Sequence, residues 1–381
     1  MPSEAHKGTR RSAFAKSSSY IPGLDGIRAV AFLCVFFSHA LGRRYGAFFP
    51  ATLGVTVFFF LSGYLITTLL RRELEKTGTI SLRDFYIRRT LRIFAPLYVT
   101  YALACLLAWA THMEVGNWQG ALSVVLYFFN YASNFHWSQL LPHGMDVVWS
   151  LDVEEHFYLL FPLAMLAMWR RQWSWRKQAW VLTALCLVAP VWRVFIMLHT
   201  DPGWHWTYRA TDSRFDSILW GSILALAFNP RFRDRPLMKP ERALPIFLLS
   251  FVLLVATMLL HNNFYRDTLH YTLQGVLMLP LFAFVISNSD HPLVRWLEWP
   301  PVRYIGWLSY VLYLCHLSVV ATLEHYTSNR WIHVLGGLAL AMAYAIVMRY
   351  TLELPLQRIR ARFRRVPEND PTAPDGHGLI S

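Results

Sequence analysis

The chain has 381 residues, of which 55% are hydrophobic, 16% aromatic and only 15% charged, yet its net charge is +13. With a mean hydropathy of +0.31, this composition argues against a soluble globular protein and for a polytopic membrane protein. The basic excess does not mark a nucleic-acid binder: its Lys/Arg clusters alternate with long apolar runs, and no nucleic-acid module accompanies them. Cys34, Cys105, Cys186 and Cys315 all fall inside apolar runs, without metal-ligand spacing or a secreted disulfide pattern, so no metal site is expected.

Residues 1–20 are polar and basic, lack the short apolar core of a signal peptide, and are expected to be disordered on the cytoplasmic side. Apolar stretches follow at 24–42, 52–70, 91–110, 120–133, 148–169, 178–199, 214–229, 243–261, 271–288, 304–323 and 332–352. If 120–133 crossed the membrane, the basic loops 170–177 and 230–242 would both lie outside. If it does not, 28 Lys/Arg lie inside and 6 outside, and the region 111–148 holds none. The positive-inside rule therefore selects ten spans with both termini cytoplasmic, and a re-entrant or interfacial outer segment at 120–133. The predicted fold is an all-α polytopic membrane helix bundle, followed by a basic and then disordered tail, 356–381.

Charged and titratable residues inside such spans are costly and default to function or to pairing. In the first span, Arg28 precedes His39 by eleven residues, roughly 16 Å of helix. A neutral imidazole there is either a hydrogen bond between helices or a proton-transfer group. His316 in SYVLYLCH stands at similar depth in the 304–323 span, and the residues alone do not rank the two. In VFFFLSGYLI, Ser62-Gly63 permits close helix packing, with Ser62 also a candidate substrate partner.

The stretch DFYIRRTLRIFAPLY carries Arg88, Arg89 and Arg92 at the cytoplasmic start of the third span. Arg89 and Arg92, three apart, can present paired guanidinium groups to phosphates or merely anchor the span. VWSLDVEEHFYLLFPL crowds Asp152, Glu154, Glu155 and His156 at the outer end of the 148–169 span. Asp152 and His156 share one helix face there, and Ser150 and Glu154 another. Arg214 and Asp216 open the 214–229 span, and with Arg193 of the 178–199 span they suggest an interhelical ion pair.

Taken in order, these stretches resemble the acyltransferase family 3 of integral-membrane O-acyltransferases. R/K-x10-H is matched by Arg28 to His39, F-F-x-x-S-G-[FY] by FFFLSGY, and R-x-x-R by Arg89 to Arg92. W-S-L-x-V-E-x-Q-F-Y is matched by WSLDVEEHFY, R-x-D-x-x-x-x-G by Arg214, Asp216 and Gly221, and S-Y-x-x-Y-L-x-H by SYVLYLCH. Two positions depart from the pattern: His156 replaces the usual Gln, and Ala29 the usual Gly. The resemblance covers the transmembrane domain, 21–355, and is closest to the stand-alone type.

It implies an acyl-CoA donor, commonly acetyl-CoA, and a sugar hydroxyl on a surface glycan or lipid-linked glycan as acceptor, in a bacterial cytoplasmic (inner) membrane. It also implies that Arg28, Arg89 and Arg92 hold the CoA phosphates. His39 would act as base or acyl carrier, between a cytoplasmic arginine entrance and an outer carboxylate rim, and Glu154 would orient the acceptor or the imidazole. Ser62, Ser150, Glu155, His156, Arg214, Asp216 and His316 would face substrate. The rival class is a proton-coupled transporter or flippase of a lipid-linked glycan, which would release no free CoA.

Overall fold

The computed structural model describes residues 20–46, 48–135, 140–200, 203–232, 239–260 and 262–363. The termini 1–19 and 364–381, for which disorder is expected, lie outside the described residues. Ten long helices coincide with the ten stretches selected by charge: α1 Leu24–Ala40, α2 Ala51–Thr77, α3 Leu82–Ala110, α4 Trp149–Arg170 and α5 Trp175–His199 come first. They are followed by α6 Thr211–Ala227, α7 Pro240–Leu259, α8 His270–Ser287, α9 Pro300–Tyr326 and α10 Ile332–Ala361. No β-strand occurs among the described residues.

The helix ends follow local chemistry. Ser81 caps α3 by accepting the Asp84 backbone N–H, and Ser174 does the same for Lys177 at the start of α5. Gly78, in the left-handed region at φ 73°, terminates α2. Two prolines open α9, where a missing N–H leaves no bond unmade. α10 passes Pro355 through a wider turn at Arg349–Glu353, so the helix runs into the basic stretch beyond 355 instead of stopping there.

Seven helices are long and apolar enough to cross a membrane: α2, α3, α5, α7, α8, α9 and α10. The other three are the 17-residue α1 and α6, and the 22-residue α4, which carries Asp152, Glu154 and Glu155. α1 packs between α9 and α2, α2 packs on α6, and α6 packs on α5 and α8. α10 lies outside α9, and α7 outside α8, while α3 and α4 lie across the central row. Burial follows this order, with 72% of the apolar window of α2 buried against 22% for α7. Inner helices tolerate polar groups because their neighbours, not lipid, satisfy them.

The charge asymmetry is visible in space. At one end of the bundle, Arg231 donates to the Tyr20 carbonyl, Arg71 to the Leu226 carbonyl and Arg88 to the Phe363 carbonyl. The first and last described residues therefore meet the basic loops at the same end. The opposite end carries the 111–148 region. There Trp118–Val125 and Phe129–Ala132 form short helices, the longer only about 12 Å, too short to cross. Gly120, Ser123 and Val124 face the protein, while Trp118, Leu122, Val125, Leu126 and Phe128 are exposed. That profile is of a segment lying on the bundle in the interfacial plane.

The α2–α6 crossing rests on two reciprocal glycines. A Cβ at Gly63 would lie 1.9 Å from the Ile218 carbonyl oxygen, and one at Gly221 would lie 2.0 Å from that of Phe60. Neither backbone oxygen has room to move, so any side chain separates the helices. Gly221→Ala should destabilise by at least about 1–3 kcal/mol and Gly221→Leu by more. Both should show an earlier thermal transition of detergent-purified protein. An unchanged transition for the leucine variant would refute the close crossing.

Candidate active site

Five helices each turn one face toward a common cavity with about 70 Å³ of free space. α1 contributes Arg28; α2 contributes Val55, Phe58, Phe59, Ser62, Leu65 and Ile66; α3 contributes Arg89, Arg92 and Ile93. α4 contributes Ser150, Leu151, Glu154 and Tyr158, and α9 contributes Ser309, Tyr310 and Tyr313. The three- and four-residue spacings put each set on a single helix face.

Glu154 is the hub of its polar side. It accepts from the Ser62 hydroxyl at 2.9 Å and from the Tyr158 phenol at 2.8 Å, and the two hydroxyls lie 3.0 Å apart. Arg28 Nε donates to Ser309 Oγ at 3.1 Å. Arg89 is buried, with its guanidinium over the rings of Phe85 and Tyr158 at 5.7 and 5.2 Å. Among the described residues, none of Arg28, Arg89 and Arg92 has a carboxylate within 4.0 Å. Three cations thus converge on one space without an ion pair, a costly arrangement inside a bundle unless an anion visits.

His39 lies elsewhere. Its Nδ1 is 3.0 Å from His316 Nε2 with the rings stacked, and His316 Nδ1 is 2.8 Å from the Tyr313 carbonyl oxygen. Neither imidazole lines the cavity. Tyr313 stands between: its hydroxyl is 2.9 Å from Ser150 Oγ, and its ring centroid is 5.7 Å from that of His316. The expected order, with His39 between arginines and a carboxylate rim, is therefore not the one observed. Glu154 sits a full turn inside α4, shares the cavity with the arginines, and binds Ser62 and Tyr158 instead of the imidazole. Position along a span shows depth from its own end, not which neighbour is level with it.

Arg193 and Asp216 form the interhelical pair that their positions suggest. Both are fully buried, the guanidinium meets the two carboxylate oxygens at 3.0 Å each, and it also donates to the carbonyls of Thr268 and Ser213. Thr272 Oγ1 donates to the same carboxylate at 2.6 Å. Arg214 donates to Thr56 Oγ1 at 3.0 Å and lies 3.8 Å from the Tyr271 ring centroid. These residues join α2, α5, α6 and α8, and neither Arg214 nor Asp216 lines the cavity.

The two faces of α4 separate as their spacing dictates. Ser150 and Glu154 face the cavity. Asp152 accepts the Asn130 backbone N–H at 2.8 Å, and His156 Nδ1 is 2.7 Å from Thr211 Oγ1, so this second face carries the outer segment. There the Tyr131 phenol donates to Asp212 and is pushed up to about 12 by burial and then by that carboxylate. Trp206 and Trp192 donate to the same Asp212 side chain. Glu155 lies outside the cavity lining, and one of its oxygens is buried without a hydrogen bond among the described residues. Tyr158, Ser309, Tyr310 and Tyr313 stand at fixed positions of WSLDVEEHFY and SYVLYLCH, yet no site role is expected of them from the sequence; spacing gave a second signal, since Tyr158 is one turn from Glu154, and Ser309, Tyr313 and His316 recur at helical intervals.

A family model for the acyltransferase domain, acyltransferase family 3, matches residues 21–350. The chain belongs to this family. It is 28% identical over 360 residues to the peptidoglycan O-acetyltransferase OatA of Listeria monocytogenes, covering 90% of this chain and 56% of that protein. The O-acetyltransferase OatA of Staphylococcus aureus is likewise 28% identical over 360 residues, covering 90% of this chain and 58% of that protein. The chain thus spans a little over half the length of these relatives. No solved structure matches it.

In this membrane acyltransferase the Arg193–Asp216 pair is a structural joint. Asp216→Ala strands a buried guanidinium and should cost about 3–5 kcal/mol. Replacing both partners, Arg193→Met with Asp216→Leu, should recover much of that loss. Thermal unfolding in detergent reads both; equal stability of the single and double variants would show that the pair is not coupled.

Proposed function

We propose that this enzyme moves an acetyl group from cytoplasmic acetyl-CoA to a hydroxyl of a cell-envelope polysaccharide, with peptidoglycan the first acceptor to test. The acceptor follows the Listeria relative, a peptidoglycan O-acetyltransferase, and the donor follows the cavity. The membrane is the bacterial cytoplasmic membrane. The basic end of the bundle, with both termini, faces the cytoplasm, because Lys/Arg-rich loops are retained there.

The observation that carries the donor assignment is the convergence of Arg28, Arg89 and Arg92 on one cavity, with no ion pair to any of them among the described residues. CoA offers phosphates, which guanidinium groups bind bidentately. Ser62, Tyr158 and Glu154 then meet the polar part of the donor beyond its phosphates. At the far side of Tyr313, His39 takes the proton of the acceptor hydroxyl as a general base. The hydroxyl oxygen bonds to the thioester carbonyl carbon, the carbon–sulfur bond breaks, and the departing thiolate recovers the proton from the imidazolium.

Arg89→Ala and Arg92→Ala should each weaken acetyl-CoA binding by about tenfold or more, as loss of a charge-assisted hydrogen bond worth roughly 1.5–3 kcal/mol requires. Lysine at either position should restore only part, since it lacks the planar fork. Titration calorimetry on protein in detergent measures this, and wild-type affinity in both alanine variants would reduce the arginines to topological anchors.

His39→Ala should lower release of free CoA with acceptor acetylation by about 10²–10⁴-fold, with the protein still inserted and still binding donor. Assayed in liposomes, near-normal turnover would exclude His39 as the base. No CoA release from the wild-type protein would favour a flippase.

A further inference from the structure

The two imidazoles are held by consecutive contacts whose chemistry permits only one assignment of protons when both are neutral. A carbonyl oxygen only accepts, so the 2.8 Å contact from His316 Nδ1 to the Tyr313 carbonyl requires the proton on His316 Nδ1. The neutral ring then carries a lone pair on Nε2. The 3.0 Å contact to His39 Nδ1 consequently requires the proton to sit on His39 Nδ1. His39 Nε2 is left with its lone pair, and it has no hydrogen-bond partner among the described residues.

His316 is fully buried and His39 only partly so. The His316 ring is fixed by aromatic edges, with Phe32 at 6.0 Å and Phe36 at 6.5 Å between centroids. Phe32, Phe36 and His39 recur at four and three residues along α1, so the face that locks His316 is the one that presents His39 to it.

We propose that His316 is a positioning residue that selects the His39 tautomer with a free Nε2 and holds that nitrogen toward the open side. The inference rests on the reading of His39 as base and adds what makes it one. An unrestrained imidazole divides itself between two tautomers, and only one is basic at the exposed nitrogen. When Nε2 takes the acceptor proton, the His39 Nδ1–H···Nε2 bond to His316 becomes charge-assisted and strengthens as the reaction proceeds. No carboxylate is needed for the role that a buried acid fills in other catalytic groupings.

Nitrogen-15 NMR of histidine-labelled, detergent-purified protein, with His39 assigned by difference from His39→Ala, reads the tautomer directly. Wild type should show His39 protonated at Nδ1 and bare at Nε2; the opposite tautomer overturns the proposal whatever the variants do. His316→Leu removes the acceptor and should shift His39 toward the other tautomer. It should also lower kcat by about 10²-fold while leaving the KM for acetyl-CoA unchanged, because the arginine cavity is untouched. His316→Gln, whose amide oxygen still accepts from Nδ1, should restore a substantial part of kcat. A residue that only fills the core would give similar losses for Leu and Gln, with no tautomer change, and that pattern overturns the proposal too. If His39→Ala remains active, the base reading fails; if His39 is essential but His316→Leu leaves tautomer and kcat alone, only the positioning role fails.

Discussion

The structure hangs on burying polar side chains in a bundle whose surroundings offer them nothing. The Arg193–Asp216 pair meets that constraint most completely: every oxygen of the carboxylate and most of the guanidinium are engaged by side chains or carbonyls of α5, α6, α8 and the short helix Asn263–Thr268. It seats α6, the short and almost wholly buried helix, against its neighbours. With α6 in place, Gly63 and Gly221 bring α2 to backbone contact, and this closeness sets the rotation of α2. Ser62, adjacent to Gly63, then faces α4, where Glu154 and Tyr158 meet it. The geometry of the cavity thus follows from a joint that does not itself line it.

Two chemically distinct centres result, separated by one aromatic side chain. On one side are three arginines and a carboxylate with two hydroxyls; on the other is an imidazole pair in an aromatic frame. Tyr313 belongs to both, since its phenol contacts Ser150 in the cavity while its carbonyl anchors His316. On the proposed reading, the division keeps the charged donor among cations and reserves the neutral base for the acceptor side.

The family motifs divide along the same lines. The arginines of α1 and α3, the serine of α2 and the first glutamate of α4 all face one cavity. The Arg214/Asp216 motif serves the joint and the aromatic cluster around it. The α4 motif is split between two helix faces, so His156, where the usual Gln is replaced, contacts Thr211 at the outer end and does not line the cavity. Shared motifs therefore mark both chemistry and architecture, and only the contacts separate them.

The sequence by itself determined which segments are helical and apolar, how many long helices form, which loops are basic, and that 120–133 does not cross. Those properties are local: hydropathy, capping residues and charge act over one segment at a time. It also determined which residues share a helix face, because the 3.6-residue period does not depend on neighbours; hence Ser150 with Glu154 and Asp152 with His156. Only the tertiary structure decided which faces meet. Glu154 joined the arginines instead of His39, and His316 joined His39 across 277 residues of chain. Both outcomes depend on the rotation and level of neighbouring helices, set by glycine contacts between helices distant in the chain and by one buried ion pair between consecutive helices.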